Sequence, residues 1–142
     1  MKTHLALFLV VPLLTGCSWL APLLTSEAQP WSMIQSVGGL RVDDPVSRPD
    51  GTVFLPVVCN VSGLQKITTE PTTMNSGLVV KNTTAKIEQM SIQIQILTCV
   101  VDKKHSALSK GVNLGRPESG TYQVEYLNLD GSTVPLREIE IK

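Results

Sequence analysis

Isoleucine and glutamine alternate strictly through Ser91-Ile92-Gln93-Ile94-Gln95-Ile96. That period of two predicts a strand with one buried face and one wet face. The run continues as Leu97-Thr98-Cys99-Val100-Val101. Strict alternation places Cys99 on the glutamine face, whereas a bulge near Leu97 would return it to the isoleucine face. A second run, Thr52 to Val61, is rich in β-branched residues and follows the turn signal Pro49-Asp50-Gly51. Val53, Leu55, Val57, Cys59 and Val61 share one of its faces, and Phe54 and Val58 lie on the other. Pro56 removes a ladder donor and points to an edge strand or a bulge. Thr121 to Leu127 alternates again, with Tyr122, Val124 and Tyr126 on one side. Asp130-Gly131 then marks a tight turn, and Thr133 to Ile141 returns as the second arm of a hairpin. Gly77 to Lys81 reads as a shorter strand, and Trp31 to Val42 is a candidate for another. Thr83 to Met90 reads equally well as two helical turns or as a strand leading into the isoleucine run. Lys103 to Lys110 reads as a basic loop or at most one helical turn.

Short strands separated by Gly, Pro, Asn and Asp predict an all-β fold, either a small β-sandwich or a small barrel. Gly120-Thr121-Tyr122-Gln123-Val124-Glu125-Tyr126, followed by Asp130-Gly131, resembles the closing strands of immunoglobulin-like domains. The buried tryptophan of antibody domains is not evident. The chain has 142 residues, with 12 Lys+Arg balanced by 12 Asp+Glu. No basic block is present, so a nucleic-acid surface is not indicated. Aromatic residues make up only 4% of the chain, few for a protein that stacks bases or sugars.

The N-terminal end has a different pattern. Lys2 precedes the apolar run Leu5 to Leu14, which is followed by Thr15-Gly16-Cys17. A basic start, a short apolar stretch and small residues at a cut site constitute an export signal. The run is too short to span a bilayer, which takes roughly 20 apolar residues. Leu14-Thr15-Gly16-Cys17 resembles the lipobox of bacterial lipoproteins. The resemblance implies that the Cys17 thiol carries a diacylglyceryl group, that the chain is cut before it, and that the new amine is acylated. It covers only the first 17 residues. Ser18 follows the cysteine; the resemblance implies that serine there is compatible with the outer membrane of enterobacteria, where aspartate favours the inner one. Trp19, Leu20, Leu23 and Leu24 extend the apolar character, suiting either a tether against lipid or protein or an unstructured linker. Pro22 and Pro30 argue against a long helix. The expected organisation is a signal peptide over 1–16, a lipidated, disordered tether over 17–35, and a single β domain over 36–142.

If Cys17 carries lipid, Cys59 and Cys99 remain as an even pair in an exported chain, and a disulfide between them is expected. It would close a loop of about 40 residues and contribute roughly 3–4 kcal/mol. A metal site is not expected: His4 lies in the signal, and His105 with two distant cysteines is a poor ligand set. No cofactor is expected.

His105 lies among Lys103, Lys104 and Lys110, with Asp102 close in sequence, and reads as a solvated loop residue rather than a general base. No nucleophile elbow, phosphate loop or His-Glu-x-x-His motif occurs. Asp43, Asp44 and Asp50 are interrupted by prolines and read as turn acids rather than calcium ligands. The polar stretch Ser62 to Ser76 is long for a small domain and is either functional or mobile.

The expected function is therefore that of an outer-membrane-anchored lipoprotein facing the periplasm. It would be a non-catalytic interaction module that holds a protein partner, such as a component of an envelope-spanning secretion or conjugation assembly. The alternative is an envelope lipoprotein that binds a ligand or inhibits an enzyme.

Overall fold

Alternating hydrophobicity does become strand in this chain. The computed structural model describes residues 26–142. Its elements, in chain order, are β1 (Glu27–Ala28), α1 (Trp31–Ser36), β2 (Leu40–Val42), β3 (Val46–Ser47), β4 (Val53–Cys59), β5 (Leu78–Glu88), β6 (Ser91–Val100), β7 (Gly111–Asn113), β8 (Gly120–Leu127) and β9 (Thr133–Ile141). Cys17, Trp19 and the rest of the expected tether up to residue 25 lie outside the described residues.

Two sheets share one core. In the five-stranded sheet, β6 pairs antiparallel with β5 along nearly its whole length. Its other edge is shared: β8 lies parallel to Ser91–Ile94, and β1 pairs with Leu97–Thr98. β9 completes this sheet as the hairpin partner of β8, as the Asp130-Gly131 turn predicts. In the four-stranded sheet β4 is central, with β2 and β3 along one edge and β7 along the other. Ile92, Ile94 and Ile96 of β6 meet Leu55, Val57, Cys59 and Val61 in the core, and all seven are fully buried.

The sheets are also joined at both margins. Arg137 of β9 donates to the Val42 carbonyl (2.9 Å) and pairs with Asp44 (2.8 Å). On the other side the Val80 N–H donates to the Ser106 carbonyl (2.8 Å). The architecture is thus a small sandwich whose open margins are bridged. The Tyr122 hydroxyl donates back to the Glu118 carbonyl at 2.7 Å. A tyrosine hydroxyl bonded to the backbone four residues upstream has the form of a tyrosine corner, a contact also seen in immunoglobulin-like sandwiches. The parallel β6–β8 pairing is a departure from their antiparallel sheets.

Three expectations need correction. Among the described residues the folded unit already includes Glu27–Ala28 and does not start only at residue 36. Ile34 is fully buried in the core, Trp31 stacks on Tyr126 with ring centroids 5.3 Å apart, and the Tyr126 hydroxyl donates to the Gln29 carbonyl. The segment from 27 to 35 is therefore structural rather than a tether, and Trp31–Ser36 is a single short helix rather than a strand. Pro56 is in a central strand, not at an edge, but the bulge alternative fits: between Val42↔Val57 and Val46↔Phe54 three residues face two. Its carbonyl accepts from Asp43 N–H on the β2–β3 side, so its missing donor faces the gap between those two short strands. No regular ladder bond is lost there.

The bulge expected near Leu97 also lies elsewhere. It is in β5, between Val80 and Asn82, opposite Leu97–Thr98. β6 keeps its strict alternation, so Thr98 is buried and Cys99 stays on the glutamine face. Cys59 points into the core. Both thiols are free, and the expected disulfide is not formed. The physical reason is this period: the extra residue is absorbed by β5, and nothing turns Cys99 inward.

The polar stretch from Ser62 to Ser76 is a loop, as expected, but a tied one. The Gly38 carbonyl accepts from the N–H groups of Ile67, Thr68 and Thr69, and the Ser36 carbonyl from those of Thr72 and Thr73. Gly38 has φ +122°, in the region that favours glycine, and a β-carbon there would run into the Gln65 carbonyl.

Candidate functional site

β6 ends at Val100, and the chain then crosses from the five-stranded sheet to β7 of the other sheet. That crossing gathers the chemically most versatile side chains of the domain. Cys99 stands on the outward face of β6. Asp102 follows in the turn, and its Oδ1 accepts from the backbone N–H groups of Lys104 (2.9 Å) and His105 (2.8 Å). Those two bonds fix the carboxylate and fold the loop back. His105 Nδ1 then lies 2.8 Å from Asp102 Oδ2, and the Cys99 thiol donates to the same oxygen at 3.9 Å. Sγ, the carboxylate oxygen and the imidazole nitrogen all lie within 4.8 Å of one another.

The electrostatics follow from these contacts. The His105 side chain, and then the His105 backbone N–H, hold the Asp102 carboxyl below the usual carboxylate range. Its stabilising contacts are therefore complete above that range and fade as pH falls through the depressed value. Asp102 fixes the imidazole by accepting from Nδ1–H, which leaves Nε2 as the unprotonated nitrogen of the neutral ring.

Lys81 is the residue skipped by the β5–β6 register, and bulges commonly re-aim a side chain. It lines an open groove of about 390 Å³ together with Cys99, Asp102, Lys104 and His105. Continuing past His105, Lys110 and Ser109 line a neighbouring hollow that also contains Lys81 and Lys104. The rim of the cluster is therefore cationic.

The far end of the crossing is built just as firmly. Buried Ser109 donates from Oγ to the Val57 carbonyl (2.6 Å) and accepts from Cys59 N–H (2.8 Å). Its own N–H donates to the Cys59 carbonyl at 2.8 Å. One hydroxyl thus completes the β4 ladder where the backbone of 107–110 departs from regular pairing. At Gly111, φ is +142°, and a β-carbon would meet the Leu55 carbonyl, so the chain can press against β4 only with glycine there.

The structure separates Cys59 from Cys99 and instead brings Cys99 to Asp102 and His105. From the sequence, His105 and the nearby Asp102 read as loop residues, and Cys99 is expected to pair with Cys59 rather than with them. The overlooked signal is the spacing Cys-x-x-Asp-x-x-His at 99, 102 and 105. The thiol and the imidazole both bond to the carboxylate rather than to each other. The arrangement therefore suits a ligand set better than a nucleophile–base pair. Asp43, Asp44 and Asp50 do not converge: Asp43 pairs with Arg41, Asp44 with Arg137, and Asp50 caps its own turn at Thr52. Cys59 is inert by placement, since burial pushes its thiol up to about 12. Among the described residues no helix is long and apolar enough to cross a membrane. No protein-family model, curated protein or solved structure matches the chain.

Proposed function

We propose that this protein is a lipid-anchored module of a bacterial outer membrane, facing the periplasm, that acts by holding a protein partner rather than by catalysis. The observation that carries this reading is Leu14-Thr15-Gly16-Cys17, directly after the basic start and the apolar run. A diacylglyceryl thioether plus an acylated amine would be a durable anchor, since one chain binds only marginally and two or more hold.

The length of the connection supports a contact role. The first described strand, at Glu27, is about ten residues after Cys17. A fully extended chain spans at most ~3.3–3.6 Å per residue, so the domain is held within roughly 35 Å of the anchor. Such a short leash confines it to a partner that is itself at the membrane. The tied loop offers a contact surface, with Leu64 and Met74 exposed along one shallow groove beside Pro71 and Thr72. On this reading the partner is a component of an envelope-spanning secretion or conjugation assembly, by analogy from the anchor alone.

The test is crosslinking and affinity capture from native membranes. The wild-type chain is compared with a Cys17→Ser chain exported behind an ordinary cleavable signal. We expect the variant in the soluble periplasmic fraction, with its membrane partners lost. Retention of every partner and of the wild-type phenotype by the soluble form would refute the tethering role.

A further inference from the structure

We propose that Cys99, Asp102 and His105 bind a divalent cation of the zinc class through Sγ, Oδ2 and Nδ1, with a fourth position open to solvent. The inference is independent of the lipid anchor.

The distances carry it first. Zinc bonds of ≈ 2.3 Å to sulfur and ≈ 2.0–2.2 Å to nitrogen and oxygen set tetrahedral ligand–ligand separations of roughly 3.3–3.6 Å. Here Nδ1 and Oδ2 are 2.8 Å apart and Sγ and Oδ2 are 3.9 Å apart, one pair on each side of that range. Binding asks Nδ1 and Oδ2 to part by about 0.5 Å and Sγ to close on Oδ2 by about 0.4 Å, with Sγ and Nδ1, within 4.8 Å of each other, closing likewise. With the carboxylate ionised, the two contacts call for a proton on the thiol and one on the imidazole Nδ1. A cation takes their place: the thiol proton leaves to solvent, the imidazole proton moves to Nε2, and Sγ and Nδ1 bond to the ion. The carboxylate is already ionised.

The second argument is preorganisation. Asp102 Oδ1 is held by two backbone N–H groups, so the other oxygen is aimed without cost at binding. Such outer bonds are the usual support of a metal ligand. All three ligands come from one strand end and the turn after it, and the turn is closed before any ion arrives. Thiolate, imidazole and carboxylate together suit zinc rather than calcium or magnesium, which take oxygen ligands.

The third argument is charge. One thiolate and one carboxylate neutralise a divalent ion, so Lys81 and Lys104 in the same groove face a neutral centre, not a cation. They also stand where an anionic fourth ligand would approach. The open position therefore fits a water that a carboxylate or other anion can replace.

The test uses the full chain in detergent micelles, reduced beforehand and titrated with Co²⁺ and then Zn²⁺. We expect one equivalent of Co²⁺ to give a thiolate-to-cobalt charge-transfer band with visible bands of tetrahedral intensity, and Zn²⁺ to bleach both. Cys99→Ser should abolish the charge-transfer band. Asp102→Asn and His105→Ala should weaken binding at least as much as the roughly 10–100-fold that loss of an outer-shell partner costs. A readout on the wild-type chain avoids any question of folding: Zn²⁺ should slow alkylation of Cys99, located by peptide mapping, while buried Cys59 stays unlabelled with or without the ion. The proposal is overturned if Co²⁺ gives no charge-transfer band, if the band survives in Cys99→Ser, or if Zn²⁺ leaves the Cys99 alkylation rate unchanged.

Discussion

Replacing Ile94 with alanine will destabilise the domain by about 2–5 kcal/mol, the range for emptying a buried branched site. Ile94 is fully buried, pairs with Ala85 on one side and Tyr126 on the other, and faces the β4 side chains across the sandwich. Neighbours from two sheets cannot all move into the vacated space, so a cavity term adds to the lost burial. In a domain of this size the melting temperature should fall by roughly 10–20 °C. Gln93, one residue earlier on the wet face, is the internal control. Its replacement by alanine should stay within about 0.5 kcal/mol of wild type. Thermal unfolding followed by circular dichroism checks both. Equal effects at the two positions would mean that β6 does not alternate as described.

Ser109→Ala has the second largest expected effect. A hydroxyl of this kind contributes little area, but its removal leaves the Cys59 N–H and the Val57 carbonyl without their partner inside the protein. Each buried group left unpaired costs about 1–3 kcal/mol, and the hydroxyl that no longer has to be desolvated offsets part of the sum for two groups, so the substitution should cost roughly 2–4 kcal/mol. Ser109→Thr keeps the hydroxyl but adds a methyl group to a site with only 3% exposure, so it should recover only part of the loss. Chemical denaturation of the three proteins gives the comparison. An alanine variant as stable as wild type would show that the β4 ladder does not depend on this side chain.

Much of the fold can be read from the sequence because a period of two has one physical meaning. The isoleucine–glutamine run, the β4 face from Val53 to Val61 and the Tyr122–Tyr126 strand each lie as alternation requires. Other parts leave no such mark. α1 is only six residues long, too short for a helical period to emerge, and its burial depends on Ile34 meeting strands far away in the chain. The bulge at Lys81 is a property of two paired strands, and single-strand patterning could not assign it to β5 rather than β6. The disulfide expectation failed on that point. The parallel β6–β8 pairing is likewise a choice among partners, not a property of either run.

The cluster was hidden for a related reason. Residues three apart converge only if the chain turns, and the turn at Asp102 is made by Asp102 itself. Sequence reasoning saw a cysteine at the end of a strand and a histidine among lysines. The structure shows that one carboxylate holds both. Conversely, the anchor is legible only in sequence: Cys17 lies outside the described residues, and the functional reading rests on its motif.

Mass spectrometry of the N-terminal peptide of the protein purified from its own membranes tests that reading most directly. The account expects a chain that begins at Cys17, with residues 1–16 gone and the mass of a diacylglyceryl group plus an amide-linked acyl chain on that cysteine. A mature chain that begins elsewhere, or a Cys17 that carries no lipid, would contradict it.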